Sequence, residues 1–168
     1  WDPISANFLM PPWVKSHWPK YVEGCERAGR KADPANWRVA KSIFVADDDA
    51  TARAYATDPN SPYRYYYGQL FAKLARGGRL GQFKARRDQP DSEVTLDSVC
   101  DSLITYGSPN KVVDEILAFR ETVGDFGTLL YAGKDWRDRT LGRRSMTLLA
   151  EKVLPAVNAA IKRSAAAE

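Results

Sequence analysis

Histidine and cysteine are scarce in this chain, with one His and two Cys among 168 residues. Cys25 and Cys100 lie far apart and His17 stands alone, so neither a Cys/His zinc site nor a disulfide framework can be assembled. Reduced thiols in a cytoplasmic protein are the expectation. Long apolar runs are also missing. The longest, Ile43 to Ala46, is strand-sized and far short of the roughly 18 to 20 residues that a membrane-spanning helix needs, which excludes such a helix. There is no Gly-x-Ser-x-Gly, no phosphate-binding Gly-x-x-x-x-Gly-Lys loop and no Gly-x-Gly-x-x-Gly. A generally basic surface is lacking too. The net charge is +4, but Arg76, Arg79, Lys84, Arg86 and Arg87 fall in one segment without an acid. The remaining 20 basic and 21 acidic residues leave the rest of the chain slightly acidic, so a nucleic-acid partner is not indicated.

What is present suits one domain with a real core: 44% of residues are hydrophobic and 27% charged. The chain starts at Trp1 without a basic leader, which reads as a cut end. Ile4 to Met10 reads as a strand closed by Pro11-Pro12, and Val14, Trp18, Tyr21, Val22 and Cys25 share one helical face ahead of Gly29. Trp37 to Ala46 alternates as a mostly buried strand. Asp47 to Asp49 follow and either cap a helix over Ala50 to Thr57 or contribute to a magnesium site. From Asp58 onward Pro and Gly interrupt the pattern, leaving one short helix near Leu70 to Leu74. Residues 58–104 read as a long insertion of the kind that forms lids. Gly107-Ser108-Pro109 is a helix start, with Ser108 as cap, for an apolar face that stops at Gly124. Phe126 to Ala132 reads as a third strand. A last helix, capped by Thr140, runs through Leu149, Val153, Val157 and Ile161 and kinks at Pro155.

Strands alternating with helices specify a parallel α/β arrangement, yet three strands would leave two raw edges. Parallel folds place their chemistry at strand C-termini, here Asn7 to Met10, Ala46 to Asp48 and Tyr131 to Trp136. None holds a nucleophile beside a base. His17 reads as a surface or capping residue. An enzyme built this way needs a cofactor for the difficult step.

Four segments, HWPKYVEGCERAGR, NWRVAKSIFVADDDATARA, YGSPNKVVDEILAFRETVGDFGTLLYAGKDW and RRSMTLLAEKVLPAV, resemble in order and spacing the C-terminal half of flavin-dependent monooxygenases of the bacterial luciferase-like family. The resemblance implies an α/β fold forming strands 6 to 8 of a (β/α)8 TIM-type barrel, with residues 58–104 as a mobile lid after the second strand. It also implies reduced FMN, supplied by a separate flavin reductase, together with O2 and a small organic substrate. The partner is then the missing N-terminal half of the barrel, or a second copy of the chain. On this reading Ser5, Asn7, Tyr131 and Lys134 face the flavin, and Trp136, Arg76 and Arg79 face the substrate. The family's catalytic residues are not identified here, and no metal is implied.

Two other readings compete. In one, Tyr63 to Tyr67 stacks the bases of a single strand while Arg76 to Arg87 holds its phosphates. In the other, the chain is a catalytically silent structural half whose raw edges drive association.

Overall fold

The computed structural model describes residues 2–134 and 137–166. Strand β1 (Ile4–Ser5) is followed by helices α1 (Pro11–Lys15) and α2 (His17–Arg27). Next come strand β2 (Arg38–Val45), helices α3 (Asp49–Thr57), α4 (Pro62–Arg76) and α5 (Leu96–Leu103), and strand β3 (Ile104–Gly107). Helix α6 (Pro109–Val123), strand β4 (Thr128–Tyr131) and helices α7 (Arg139–Leu148) and α8 (Leu154–Ala165) complete the order. All strand pairs are parallel, so this is an α/β fold. No helix among the described residues is long and apolar enough to cross a membrane.

β2 is the hub and pairs with every other strand. Successive residues of a strand direct their backbone polar groups to opposite edges. Arg38 N–H donates to Pro3 O and Ala46 N–H to Gly107 O, so the even-numbered residues bond toward β1 and then β3. The odd-numbered residues bond toward β4: Trp37 O accepts from Gly127 N–H and Lys41 O from Ala132 N–H. β4 ends there, and two side chains take over its edge. Tyr63 O–H donates to Ile43 O at 2.7 Å, and Val45 N–H donates to Ser145 Oγ at 2.9 Å. Both substitutes answer buried backbone groups that would otherwise lack partners.

The odd-numbered side chains of β2 pack on the helical layer. Ile43 and Val45 meet Val112, Ile116, Leu148 and Val153, and Val39 meets Trp37, Phe119 and Val123. On the other face Phe44 joins a core that includes Tyr63, Tyr67, Leu74, Phe83, Val99 and Leu103. Residues 58–104 therefore carry much of one core. Ser61 accepts from Tyr63 N–H and Pro62 occupies the first turn, which starts a 15-residue α4 where the sequence suggested one short helix. A Thr95–Ser98 capping box starts α5.

Other boundaries shift for local reasons. β1 stops at Ser5, because Asn7 turns away to make side-chain bonds, and Pro11 begins α1 instead of a loop. Asp138, not Thr140, caps α7 by accepting from the Thr140 and Leu141 N–H groups. Ser108 sits at the cap position of α6 without a side-chain cap bond; its N–H donates to Asp49 Oδ1 at 2.7 Å and its side chain bonds the same carboxylate. The expected kink is a π-helical turn over Leu149–Val153, just ahead of Pro155, which has no N–H to continue the regular ladder.

Candidate functional site

Ser42 is a fully buried polar residue in the middle of an apolar strand, on the face opposite the helical layer. Its presence demands partners. Asn7 Nδ2 donates to Ser42 Oγ at 3.0 Å, and the Tyr67 hydroxyl lies 2.9 Å from Asn7 O and 3.0 Å from Ser42 Oγ. Having one hydrogen, the Tyr67 hydroxyl gives it to the carbonyl, which can only accept, and takes one from Ser42. Burial raises the Tyr67 phenol above its ordinary pKa, so it stays protonated. Tyr66 O–H then donates to Asn7 Oδ1 at 3.2 Å.

Lys134 joins this group from the end of β4. Its Nζ sits 3.9 Å from the centre of the Tyr66 ring and donates to Ala132 O at 3.3 Å. Partial burial lowers its pKa from an ordinary 10.5 to about 8. A cavity of about 300 Å³ opens beside it, lined by Pro62, Tyr65, Tyr66, Gln69, Leu70 and Lys134. The structure thus brings two of the sequence candidates, Asn7 and Lys134, onto either side of Tyr66. Ser42 was not singled out from sequence, and Tyr66 was singled out only as part of the Tyr63 to Tyr67 run of the base-stacking reading. The signal for Ser42 was a polar residue inside a buried strand.

The other candidates lie elsewhere. Ser5 is buried against the helical layer: Trp37 Nε1–H donates to its Oγ at 2.9 Å, and its Oγ lies 2.8 Å from His17 Nδ1. His17 is therefore a half-buried, anchored residue and not a surface one, and burial lowers its pKa, keeping the ring neutral. Tyr131 pairs in register with Lys41, packs with the core that contains Ile43 and Ile116, and hydrogen-bonds with the Tyr63 side chain. Arg76 and Arg79 are exposed; Arg76 Nε donates to Ala72 O within its own helix. Trp136 lies outside the described residues.

Phe8 and Leu9, directly after Asn7, line a second and larger cavity, of about 600 Å³, together with Trp13, His17, Lys84 and Arg87 among others. It too lies at the C-terminal end of β1. Trp13 Nε1–H donates to Lys84 O at 3.0 Å, tying α1 to the segment after α4.

Two sequence alternatives lose their structural basis. Each aspartate of the acidic run already has a partner: Asp47 binds Arg144, Asp48 caps α3 and Asp49 accepts from Ser108. No group of three metal-ligating side chains occurs among the described residues. A base-stacking platform over Tyr63 to Tyr67 is not available either, because Tyr63 and Tyr67 are buried; Tyr65 alone of the run is largely exposed, at 70%.

No family model matches the chain. It is 31% identical over 148 residues to 4-hydroxyprotoasukamycin monooxygenase of Streptomyces nodosus subsp. asukaensis, covering 88% of this chain and 38% of that protein. It is 25% identical over 146 residues to 3,6-diketocamphane 1,6-monooxygenase of Pseudomonas putida, covering 86% of this chain and 38% of the relative. Among solved structures, it is similar to the oxygenating constituent of 3,6-diketocamphane monooxygenase from Pseudomonas putida, a type II Baeyer-Villiger monooxygenase in complex with FMN. That match has a TM-score of 0.79 and 26% identity, and covers 94% of this chain and 43% of the other. The chain spans about two fifths of the length of the relatives it matches.

Proposed function

We propose, from the premise that this chain is a homologue of luciferase-like and type II Baeyer-Villiger monooxygenases over part of their length, that it is the C-terminal part of a flavin-dependent monooxygenase. The observation that carries the reading is the match, over 94% of this chain, to an oxygenating subunit in complex with FMN. β1, β2 and β4 would be strands 6 to 8 of a (β/α)8 barrel, with the Ser42 face of β2 turned to its interior. Strands 1 to 5, and the other wall of the flavin site, would come from chain upstream.

The residues at the strand ends fit one wall of a flavin site: the Asn7 amide held by Ser42 and by the Tyr66 phenol, and a lysine beside an aromatic cavity. Bound reduced FMN, delivered by a reductase, would supply the activation of O2. Asn7, fixed through its amide and carbonyl, orients the cofactor without rearranging. Lys134 offers a cation over Tyr66 for an anionic or electron-rich oxygen. The Phe8, Leu9 and Trp13 surface excludes water from an organic substrate. Residues 58–104 serve as the lid. Because α4, α5 and Phe83 are built into a core, the parts free to move are the exposed stretches on either side of Phe83, 77–79, which carries Arg79, and 85–88. Gly78, at φ +64°, provides a hinge in the first of them.

Anaerobic titration of reduced FMN into this chain, and into the chain extended by its natural upstream sequence, tests the reading. Tight binding by the extended chain is expected, weakened by Lys134→Met. Failure of the extended chain to bind overturns it.

A further inference from the structure

The lone histidine is held in one tautomer. Indole is only a donor, so Ser5 Oγ accepts from Trp37 Nε1–H at 2.9 Å. Ser5 is wholly buried, and its hydroxyl hydrogen has one described acceptor in reach, His17 Nδ1 at 2.8 Å. Were Nδ1 to carry the hydrogen, the buried Ser5 hydroxyl would be left without an acceptor, which burial penalises. His17 is therefore protonated on Nε2. With Nδ1 engaged inward, the Nε2 edge is the donor available to the 600 Å³ cleft that His17 lines.

Phe8, Leu9 and Trp13 supply apolar wall to that cleft, Ser16 and Gln82 add neutral polar groups, and none of the described residues that line it is acidic. Of its two cations, Lys84 is paired with Asp91 at 2.6 Å. Arg87 has no carboxylate partner among the described residues and sits over the Trp13 ring, 5.8 Å from its centre. The indole is itself pinned by its bond to Lys84 O. An apolar pocket with a fixed neutral donor and an uncompensated guanidinium selects a ligand with a hydrophobic body and an anionic oxygen group.

We propose that this cleft binds a hydrophobic ring compound carrying a carboxylate, with the ring against Trp13 and the oxygens held by His17 Nε2–H and Arg87. All of these groups belong to this chain, so the site does not depend on flavin. That its occupant is the substrate rests on the flavin reading above.

Because the chain has a single histidine, ¹⁵N-histidine labelling gives one imidazole to follow. The free chain is expected to show the neutral Nε2–H tautomer. 2-Naphthoate is expected to shift the Nε2 signal saturably, with at least about tenfold weaker binding of the neutral isostere 2-acetonaphthone and of naphthoate to Arg87→Gln. Arg87 is exposed, so this variant keeps the fold. An Nδ1–H tautomer, naphthoate binding without an imidazole response, absence of binding, or equal affinity for the neutral ketone each overturns the proposal. Binding of naphthoate by a chain whose extended form ignores reduced FMN would sustain this site and remove only the substrate assignment.

Discussion

Lys41 shows how one residue reports the cost of its surroundings. It faces the helical layer and is 9% exposed, with its ammonium 4.6 Å from the centre of the Phe119 ring. Burial lowers its pKa from an ordinary 10.5 to about 8, although Glu115 pulls the other way. The folded pKa is thus below the unfolded one. From about pH 8 to 10.5 the unfolded chain holds the proton and the folded chain does not, so stability rises with pH through that window. Below it the penalty is fully present. Lys41→Met should therefore stabilise the chain at pH 7 by about 1 to 3 kcal/mol, an advantage that fades as pH approaches 10.5. Urea unfolding at pH 7 and pH 10 reads both, and an equal effect at the two pH values would contradict the desolvation argument. Tyr67 is the converse case. Its hydroxyl satisfies Asn7 O and Ser42 Oγ in the interior, and Tyr67→Phe should cost about 1 to 3 kcal/mol by leaving both short of a partner. The same variant should loosen Asn7, and with it any flavin affinity of the extended chain.

Elements that begin or end on a chemical signal were legible in the sequence. Ser108-Pro109 and Gly124 bracket α6, and Gly124 takes φ +98°, which favours glycine. The apolar repeat through Leu149, Val153 and Val157 is buried as its spacing implies. β3 was not legible. It is four residues long, joins α5 at Leu103 without a breaker and is buried at Ile104, Thr105 and Gly107, so Val99 to Ile104 reads as one helical face. The Ser145 and Tyr63 bonds to β2 were out of reach for another reason: they span 100 and 20 positions and depend on where β4 stops. Ser145→Ala is expected to cost about 1 to 3 kcal/mol, because Val45 N–H is buried and has that one substitute for a strand partner. Ser145→Thr, which restores a hydroxyl, should recover part of the loss. Gly127 sets the entry to β4. A Cβ there would stand 2.0 Å from Ala35 O, a backbone atom, so Gly127→Ala should displace β4 and lower the unfolding midpoint more than Ser145→Ala does.

At the scale of the whole molecule, the candidate site was half legible. The rule that parallel strands carry chemistry at their C-terminal ends led to Asn7 and Lys134, which meet at Tyr66. It also led to Tyr131, which packs beside Ile43 and Ile116 and bonds Tyr63, while the resemblance added Ser5, which is buried against the helical layer, because sequence periodicity identifies two faces without saying which is interior. The sheet explains the remainder. β1 and β4 flank β2, and each has an outer edge with no strand partner among the described residues. By alternation, Ile4 and Leu129 direct their backbone groups to those edges, and Ile4 is 60% exposed although it is a large β-branched residue. A barrel abolishes such edges by pairing each with a further strand. If β1, β2 and β4 are three consecutive strands of a barrel, the upstream sequence must supply both neighbours, one for β1 and one for β4. Amide exchange then separates a barrel segment from a self-sufficient sheet. In this chain alone the Ile4 and Leu129 amides should exchange fast relative to Val39 and Lys41 of β2, which pair in register with Leu129 and Tyr131 of β4. In the extended chain both should slow together by a common factor, because closure of a barrel protects its two seams at once. Slow exchange of both already in the isolated chain, at a concentration where light scattering shows a monomer, would mean that the edges are covered from within and would remove the barrel reading.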